Sequence, residues 1–345
     1  MNTLEKLAGL LVEERTLVAA RNAVRTCLGV TADDRAVLVY DSSTREIAAA
    51  LVRAFDEIGA ALQVFSLDSF GERPQPHPPG TILKALETAT VSAMAVTTMR
   101  GELSVRRAFL DAITTAEIRH AHMPSITKEV FEDGLAMDYN EVSRFISRLA
   151  GIIGDATSIH VTSAGGTDIQ INFPSNQQME KMDGLITKEH WQNLPSGQLI
   201  ISPANANGVF VVDQAIGDWF EHEYDISQSP VTIDFHRGAV RSISCKNKKF
   251  ERDLGIFLRS SENSGRISEL VIGANLGLTQ EHSCSLFRNY LPGASIAVGK
   301  LPGAGEEANA WTSSTFLPLT AQTVSLRIES RTIMTDGTFA PDLLD

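Results

Sequence analysis

The chain has 345 residues, of which 43% are hydrophobic and 21% charged, enough apolar material for a full core and too much for intrinsic disorder. Lys and Arg number 30 against 42 Asp and Glu, giving a formal net charge of -12; an acidic surface repels phosphate backbones, so no nucleic-acid partner is expected. Aromatic residues, at 6%, are too sparse for a base-stacking platform.

No apolar run of about 18 residues occurs, so no membrane span is expected. The opening MNTLEKLAGLLVEERT mixes acids with apolar residues and lacks the basic start of a secretory signal. Cys27, Cys245 and Cys284 are widely spaced, odd in number and free of any C-x-x-C pattern. That usage fits a reducing, cytoplasmic setting and excludes a disulfide scaffold and a thiolate zinc site.

Apolar residues recur at helical spacing from Leu4 to Leu28, predicting one or two helices. Arg35-Ala-Val-Leu-Val-Tyr40 follows the turn at Thr31–Asp34 and reads as a buried strand. Asp41-Ser-Ser-Thr44 then offers cap residues for a helix through Ile47, Leu51, Val52 and Phe55, stopped by Gly59. Leu62–Leu67 is the next strand, and a strand–helix–strand unit implies a parallel, right-handed crossover. A proline-rich loop from Gly71 to Gly80 precedes a helix over Thr81–Thr88, and Val91–Val96 and Ile118–His122 read as further strands. A small doubly wound domain is the natural reading. No glycine fingerprint follows the first strand, so no dinucleotide site is assigned.

Asn140 to Ile153 is an amphipathic helix through Val142, Phe145, Ile146, Leu149 and Ile152. Beyond Asp155 the texture changes to short β-rich runs: 158–162, 168–172, 198–202, 209–212, 231–235 and 239–243. The run Val231-Thr-Ile-Asp-Phe235, turning at Arg237-Gly238, is a hairpin signal. The expected organisation is an α/β domain over residues 1–150, with a small doubly wound parallel sheet, and an α+β domain over 151–345 rich in antiparallel strands.

Three motifs stand in order: Ala164-Gly-Gly-Thr-Asp168-Ile; Asn193-Leu-Pro-Ser-Gly197-Gln198 with Pro203 and Asn207-Gly208 after it; and Ser268-Glu269-Leu-Val-Ile-Gly273-Ala-Asn275. Together they resemble the aminopeptidase T (leucyl aminopeptidase) family of metallopeptidases. They also resemble a related iron enzyme, 2,5-dihydroxypyridine 5,6-dioxygenase. Met123-Pro-Ser-Ile-Thr127 and Asp138-Tyr139 are fainter fragments of the same pattern. The resemblance implies an α/β N-terminal domain, a metal-bearing C-terminal domain and a homodimer.

A two-metal peptidase needs several carboxylates and imidazoles around two cations, and the resemblance implies two glutamates, two histidines and an aspartate. The first glutamate position, after the Leu-Pro-x-Gly turn, is Gln198 here; the second is Glu269. The first histidine position, before Ile296-Ala-Val-Gly299, is Ser295, and the final His-x-Asp pair falls on Ser314 and Phe316. No histidine follows His282. Amides and hydroxyls do not balance two divalent charges, so no catalytic metal and no cofactor is expected at this site, and the dioxygenase reading meets the same obstacle.

Other clusters carry two readings each. Glu221-His-Glu-Tyr-Asp225 is a replacement metal site or a solvated acidic loop. His120 and His122 share a strand face, as ligands or as caps of the sheet; His160 and His236 are most simply structural. His282 and Cys284 are candidates for an imidazole–thiolate pair. Serines 283, 285, 295, 313 and 314 are polar filler or hydrogen-bond donors to an amide. Glu269 is a leftover paired carboxylate, a receptor for an amino terminus or a general base.

Three functions follow. The first is an aminopeptidase-like protein that binds a peptide or small amide without metal, through Asn193, Gln198, Glu269, Ser295, Ser313, Ser314, Phe316 and the glycine turns at Gly166 and Gly197, in support of a partner enzyme such as one in a peptide natural-product pathway. The second is a metal-dependent aminopeptidase or amide hydrolase with a rearranged site. The third is a metal-independent enzyme using Glu269 or Cys284. The sequence favours the first.

Overall fold

The computed structural model describes residues 3–278, 285–301, 311–321 and 323–344, with the side chains of Asp218, Ser285 and Leu286 left aside. The chain divides into two compact units. The first comprises Met1–Ser143, Met182–Ser196 and Leu276–Gln280; the second comprises Arg144–Lys181, Gly197–Asn275 and Glu281–Asp345. The sequence suggests one cut near residue 150. The contacts instead return two later segments to the first unit.

The first unit is built on a five-stranded parallel sheet in the order Ala61–Ser66, Arg35–Tyr40, Val91–Val96, Arg119–Pro124 and Gln192–Asn193. Its strands are short and apolar because both faces are covered, so alternation disappears: Val91–Val96 is buried at every position. On one face Val37, Val39, Met94 and Val96 pack with Ile82, Ala85 and Leu86 of the helix Gly80–Leu86 and with Val105, Phe109 and Ile113 of the helix Leu103–Thr115. The helix Arg45–Asp56 opens from Asp41, whose side chain accepts from Ser43 N while Thr44 closes a capping box.

The second unit holds two sheets. The larger runs Ala239–Cys245, Val231–His236, Asn205–Val212, Asp168–Asn172, Ser158–Ser163, Val324–Ile328, Arg331–Thr335 and Thr338–Phe339. Its pairs are antiparallel, and its strands alternate: Ile159, Val161, Ile169 and Ile171 are fully buried, while His160 and Gln170 between them are not. The turn at Arg237-Gly238 has positive φ at both residues, 51° and 78°, matching the twist of the strands it joins.

The smaller sheet runs Ala215–Ile216, Leu317–Thr320, Gly293–Val298, Ile267–Gly273, Gln198–Ile201 and Met179–Met182. Antiparallel register fixes its two faces, because residues directly opposite point the same way. Leu199, Ile201, Leu270, Ile272, Ile296 and Leu319 share one face and are fully buried. Gln198, Ile200, Glu269, Val271, Gly273, Ser295, Ala297, Pro318 and Thr320 share the other. One face is thus wholly apolar, and the other carries a carboxylate, an amide and hydroxyls.

Candidate functional site

Glu269 stands on the strand Ile267–Gly273, directly after a β-bulge: Ile267 pairs with Val298 and Glu269 with Ala297, leaving Ser268 as the extra residue. Bulges re-aim side chains and recur beside active sites. Directly across from Glu269 stands Ala297, whose methyl offers the carboxyl no hydrogen bond. Burial and the nearby Glu180 push its pKa up to about 7, against the opposing pull of Lys300. A carboxyl poised there exchanges its proton at neutral pH.

Gln198 pairs with Gly273, so it lies four strand positions from Glu269 on the same face, about 13 Å along the strand at the usual rise. The Gln198 side chain is buried, and its Oε1 finds no hydrogen-bond partner among the described residues. The Oγ of buried Ser268 is unpartnered in the same way. Orphan polar atoms are costly inside a protein and mark places where a further group is wanted. Close backbone packing shapes this end of the face. A Cβ on Gly197, at φ +132°, would meet the Asn275 backbone N at 3.0 Å, and a Cβ on Gly273 would meet the Leu291 carbonyl at 1.9 Å.

Ser295 shares this face but is already committed: its Oγ donates to Asn289 Oδ1 at 2.9 Å, and Thr320 Oγ1 donates to the same oxygen at 2.7 Å. Ser313 and Ser314 belong to a different cluster. Ser313 Oγ lies 3.2 Å from Ser261 Oγ and 3.0 Å from Thr315 Oγ1, and Ser314 N donates to Ser261 Oγ. Ser313 N meets the chain at the Lys300 carbonyl, beyond the far end of the strand that carries Ser295. The serines therefore form two knots, each closed by its own hydrogen bonds. Phe316 is 40% exposed. Asn193 belongs to the first unit, opposite His122 in the parallel sheet. His282, Ser283 and Cys284 lie outside the described residues.

Glu221, His222 and Glu223 lie on a short helix, Asp218–Glu223, and not in the loop that the sequence suggests. Phe220 and Tyr224 are the buried anchors there, while His222, Glu223 and Asp225 are exposed. Asp225 accepts from Ser227 N and Oγ. His120 and His122 are both buried in the parallel sheet, His120 Nδ1 lying 2.8 Å from Ser92 Oγ. His160 Nε2 lies 2.7 Å from Asp168 Oδ1, and His236 is exposed at its strand end.

A family metal can be tested on donor chemistry. The strands of the smaller sheet present one carboxylate and one amide at the implied ligand positions, and no imidazole. Among the described residues, no group of three or more His, Cys, Asp or Glu side chains is placed to share an ion. At the positions that the resemblance implies, one carboxylate and one amide fall short of the donors a two-metal hydrolase centre or an imidazole-ligated iron needs. Sequence reading missed Thr320 and Asn289, which meet Ser295 through register and hydrogen bonds, and Glu180 and Lys300, whose charges act on Glu269.

A parallel α/β unit joined to antiparallel sheets, with the Glu269 strand central in the smaller one, defines a protein of the aminopeptidase T-like two-domain fold. More specifically, the chain belongs to the NicX family: the family model, described as 2,5-dihydroxypyridine 5,6-dioxygenase, matches residues 16–249. That stretch ends before the strand of Glu269 begins. Among solved structures, the 2,5-dihydroxypyridine dioxygenase of Pseudomonas putida KT2440 is similar over 97% of this chain and 100% of its own, at 15% identity and a TM-score of 0.67. Wild-type AmpT of Thermus thermophilus is similar over 95% of this chain and 99% of its own, at 14% identity and a TM-score of 0.68. At such identities the likeness is one of fold. A comparison with curated proteins returns no significant match. Among the described residues no helix is long and apolar enough to cross a membrane.

Proposed function

We propose that this protein is a binding member of its family, holding a short peptide or amino-acid-derived amide on the Glu269 face without a catalytic metal and serving a partner enzyme in the cytoplasm. The observation that carries this reading is the placement of Glu269 and the orphaned Gln198 Oε1 on one sheet face. A ligand amino group meets the Glu269 carboxylate. A ligand amide N–H satisfies Gln198 Oε1, the neutral acceptor that stands where a glutamate would grip a cation. The separation of about 13 Å is spanned by roughly four residues of extended chain, so the reading favours peptides of that length over single amino acids. A homodimer, implied by the resemblance, belongs to the same proposal and is read by sedimentation.

Calorimetry tests it with tetrapeptides bearing free and acetylated amino termini. Saturable heat with the free form, weakened at least tenfold by acetylation and by Glu269→Gln, is expected. Absence of heat with every peptide would sink the proposal. So would chelator-sensitive turnover of leucyl-p-nitroanilide with added zinc, cobalt or manganese, which would favour a rearranged hydrolase.

A further inference from the structure

The carboxyl end of the parallel sheet holds a buried charge cluster that the Glu269 face does not use. The chain winds outward from Arg35–Tyr40 in both directions, with Ala61–Ser66 on one side and Val91–Val96 on the other. In doubly wound sheets this reversal opens a crevice outside the carboxyl ends of the two diverging strands, and ligands bind in it. Asp41 follows the first of these strands and Thr97 the second. Asp41 Oδ2 accepts from Thr97 N at 2.6 Å.

The side chain of Arg73 fills this place. Its Nη1 donates to Asp41 Oδ2 at 2.7 Å, its Nε to Glu102 Oε1 at 3.0 Å, and its Nη2 to Glu102 Oε2 at 2.6 Å and to the Thr97 carbonyl at 2.5 Å. Four of the five guanidinium N–H groups are therefore matched, with a fork–fork pair to Glu102. The three side chains are almost removed from solvent, Arg73 at 4%, Asp41 at 3% and Glu102 at 10% exposure. Burial works against the charge on both carboxylates, yet hydrogen bonds and the guanidinium outweigh it and hold Asp41 and Glu102 below their ordinary range. Two carboxylates face one guanidinium, so the receptor half of the cluster carries a net negative charge wherever Arg73 is absent.

Arg73 arrives on the loop between Phe70 and Gly80, which enters through Gly71 at φ +120° and contains Pro74, Pro76, Pro78 and Pro79. Neither a helix nor a strand places it there. The partners Asp41, Thr97 and Glu102, by contrast, stand at the ends of the strands and at the cap of the helix Leu103–Thr115. The acceptors thus belong to the sheet framework, and the guanidinium they hold hangs on a connection.

We propose that Asp41, Thr97 and Glu102 form a guanidinium-binding site that this chain fills with its own Arg73. A small guanidinium compound fits the same three acceptors once Arg73 is withdrawn. A compact ammonium lacks the planar fork and does not.

The test uses the full chain with Arg73→Ala. Its thermal midpoint falls below wild type, because two buried carboxylates lose their partner. Low-millimolar methylguanidinium chloride is expected to raise that midpoint saturably, methylammonium chloride at equal ionic strength is not, and wild type responds to neither. Should Arg73→Ala fail to fold, the Arg73→Ala/Glu102→Gln variant, with one buried charge fewer, is assayed in the same way. Equal responses to the two cations, or no rescue in either variant, would overturn the proposal. None of these outcomes depends on the Glu269 face, which is assayed separately with peptides.

Discussion

His120 Nε2 and His122 Nδ1 lie 3.4 Å apart inside the parallel sheet, extending the contact from Ser92 Oγ into a short polar string within an apolar core. Trp191 closes its end, edge-on to His122 at 5.9 Å. Burial, then the neighbouring His122, lowers the pKa of His120 well below the ordinary histidine value. Burial, then the charge of Arg106, lowers that of His122 to about 3. Both rings are neutral in the folded protein at any pH near 7.

This has a definite sign. The unfolded rings take protons below about pH 6.5, while the folded rings do not. The stability they allow is fully present above pH 6.5 and lost as pH falls toward the folded values. Between pH 7 and 5.5 the pair is expected to remove about 2 kcal/mol. Urea unfolding at both pH values checks it. A His120→Gln/His122→Leu variant should show a flatter acid limb; an unchanged limb would contradict the assignment.

Glu269 has the opposite consequence. Its folded pKa is raised to about 7, so the folded state holds a proton that the unfolded chain releases near pH 4.3. Stability attributable to this group falls as pH rises between those values. Glu269→Gln should therefore stabilise the protein by about 3–4 kcal/mol at pH 8 and change little at pH 4, while weakening peptide binding at least tenfold. A residue whose removal stabilises the fold and ends function is kept for function. Reduced stability at pH 8 would instead mark Glu269 as a structural partner.

Gly273 sits where the Glu269 strand meets the Leu291 carbonyl, 1.9 Å from the position of an added Cβ, with the Asn289 carbonyl at 2.6 Å. Both obstacles are backbone, which cannot rotate away. Gly273→Ala is expected to cost about 2–3 kcal/mol, read from the urea midpoint. A near-wild-type midpoint would show that the segment around Leu291 yields.

Metal removal separates the binding reading from a hydrolase. Protein dialysed against a chelator should bind the free-amino tetrapeptide as before, within about 0.5 kcal/mol. A loss of more than about 1.4 kcal/mol, a tenfold change, restored by zinc or iron, would place an ion in the ligand site.

What the sequence determined by itself were the elements with strong local pattern. The strands Arg35–Tyr40 and Val91–Val96, the helix Arg45–Asp56 from its Asp41 cap, and the Arg237-Gly238 hairpin stand where periodicity, capping and turn chemistry put them. The helix Leu103–Thr115 carries Val105, Phe109 and Ile113 at four-residue spacing, and Lys248–Phe257 carries the Asn247 cap and Phe250 with Leu254, so their signals are local too. Tertiary structure alone decided that Gln192–Asn193 completes a parallel sheet and that Ser268 bulges beside Glu269. It alone divided Ser295 from Ser313 and brought Arg73 to Asp41 and Glu102. Hydrophobic period and turn residues act between neighbours a few positions apart, so they are written locally. Register, bulges and buried ion pairs are settled between segments far apart in the chain, by the packing of whole sheets.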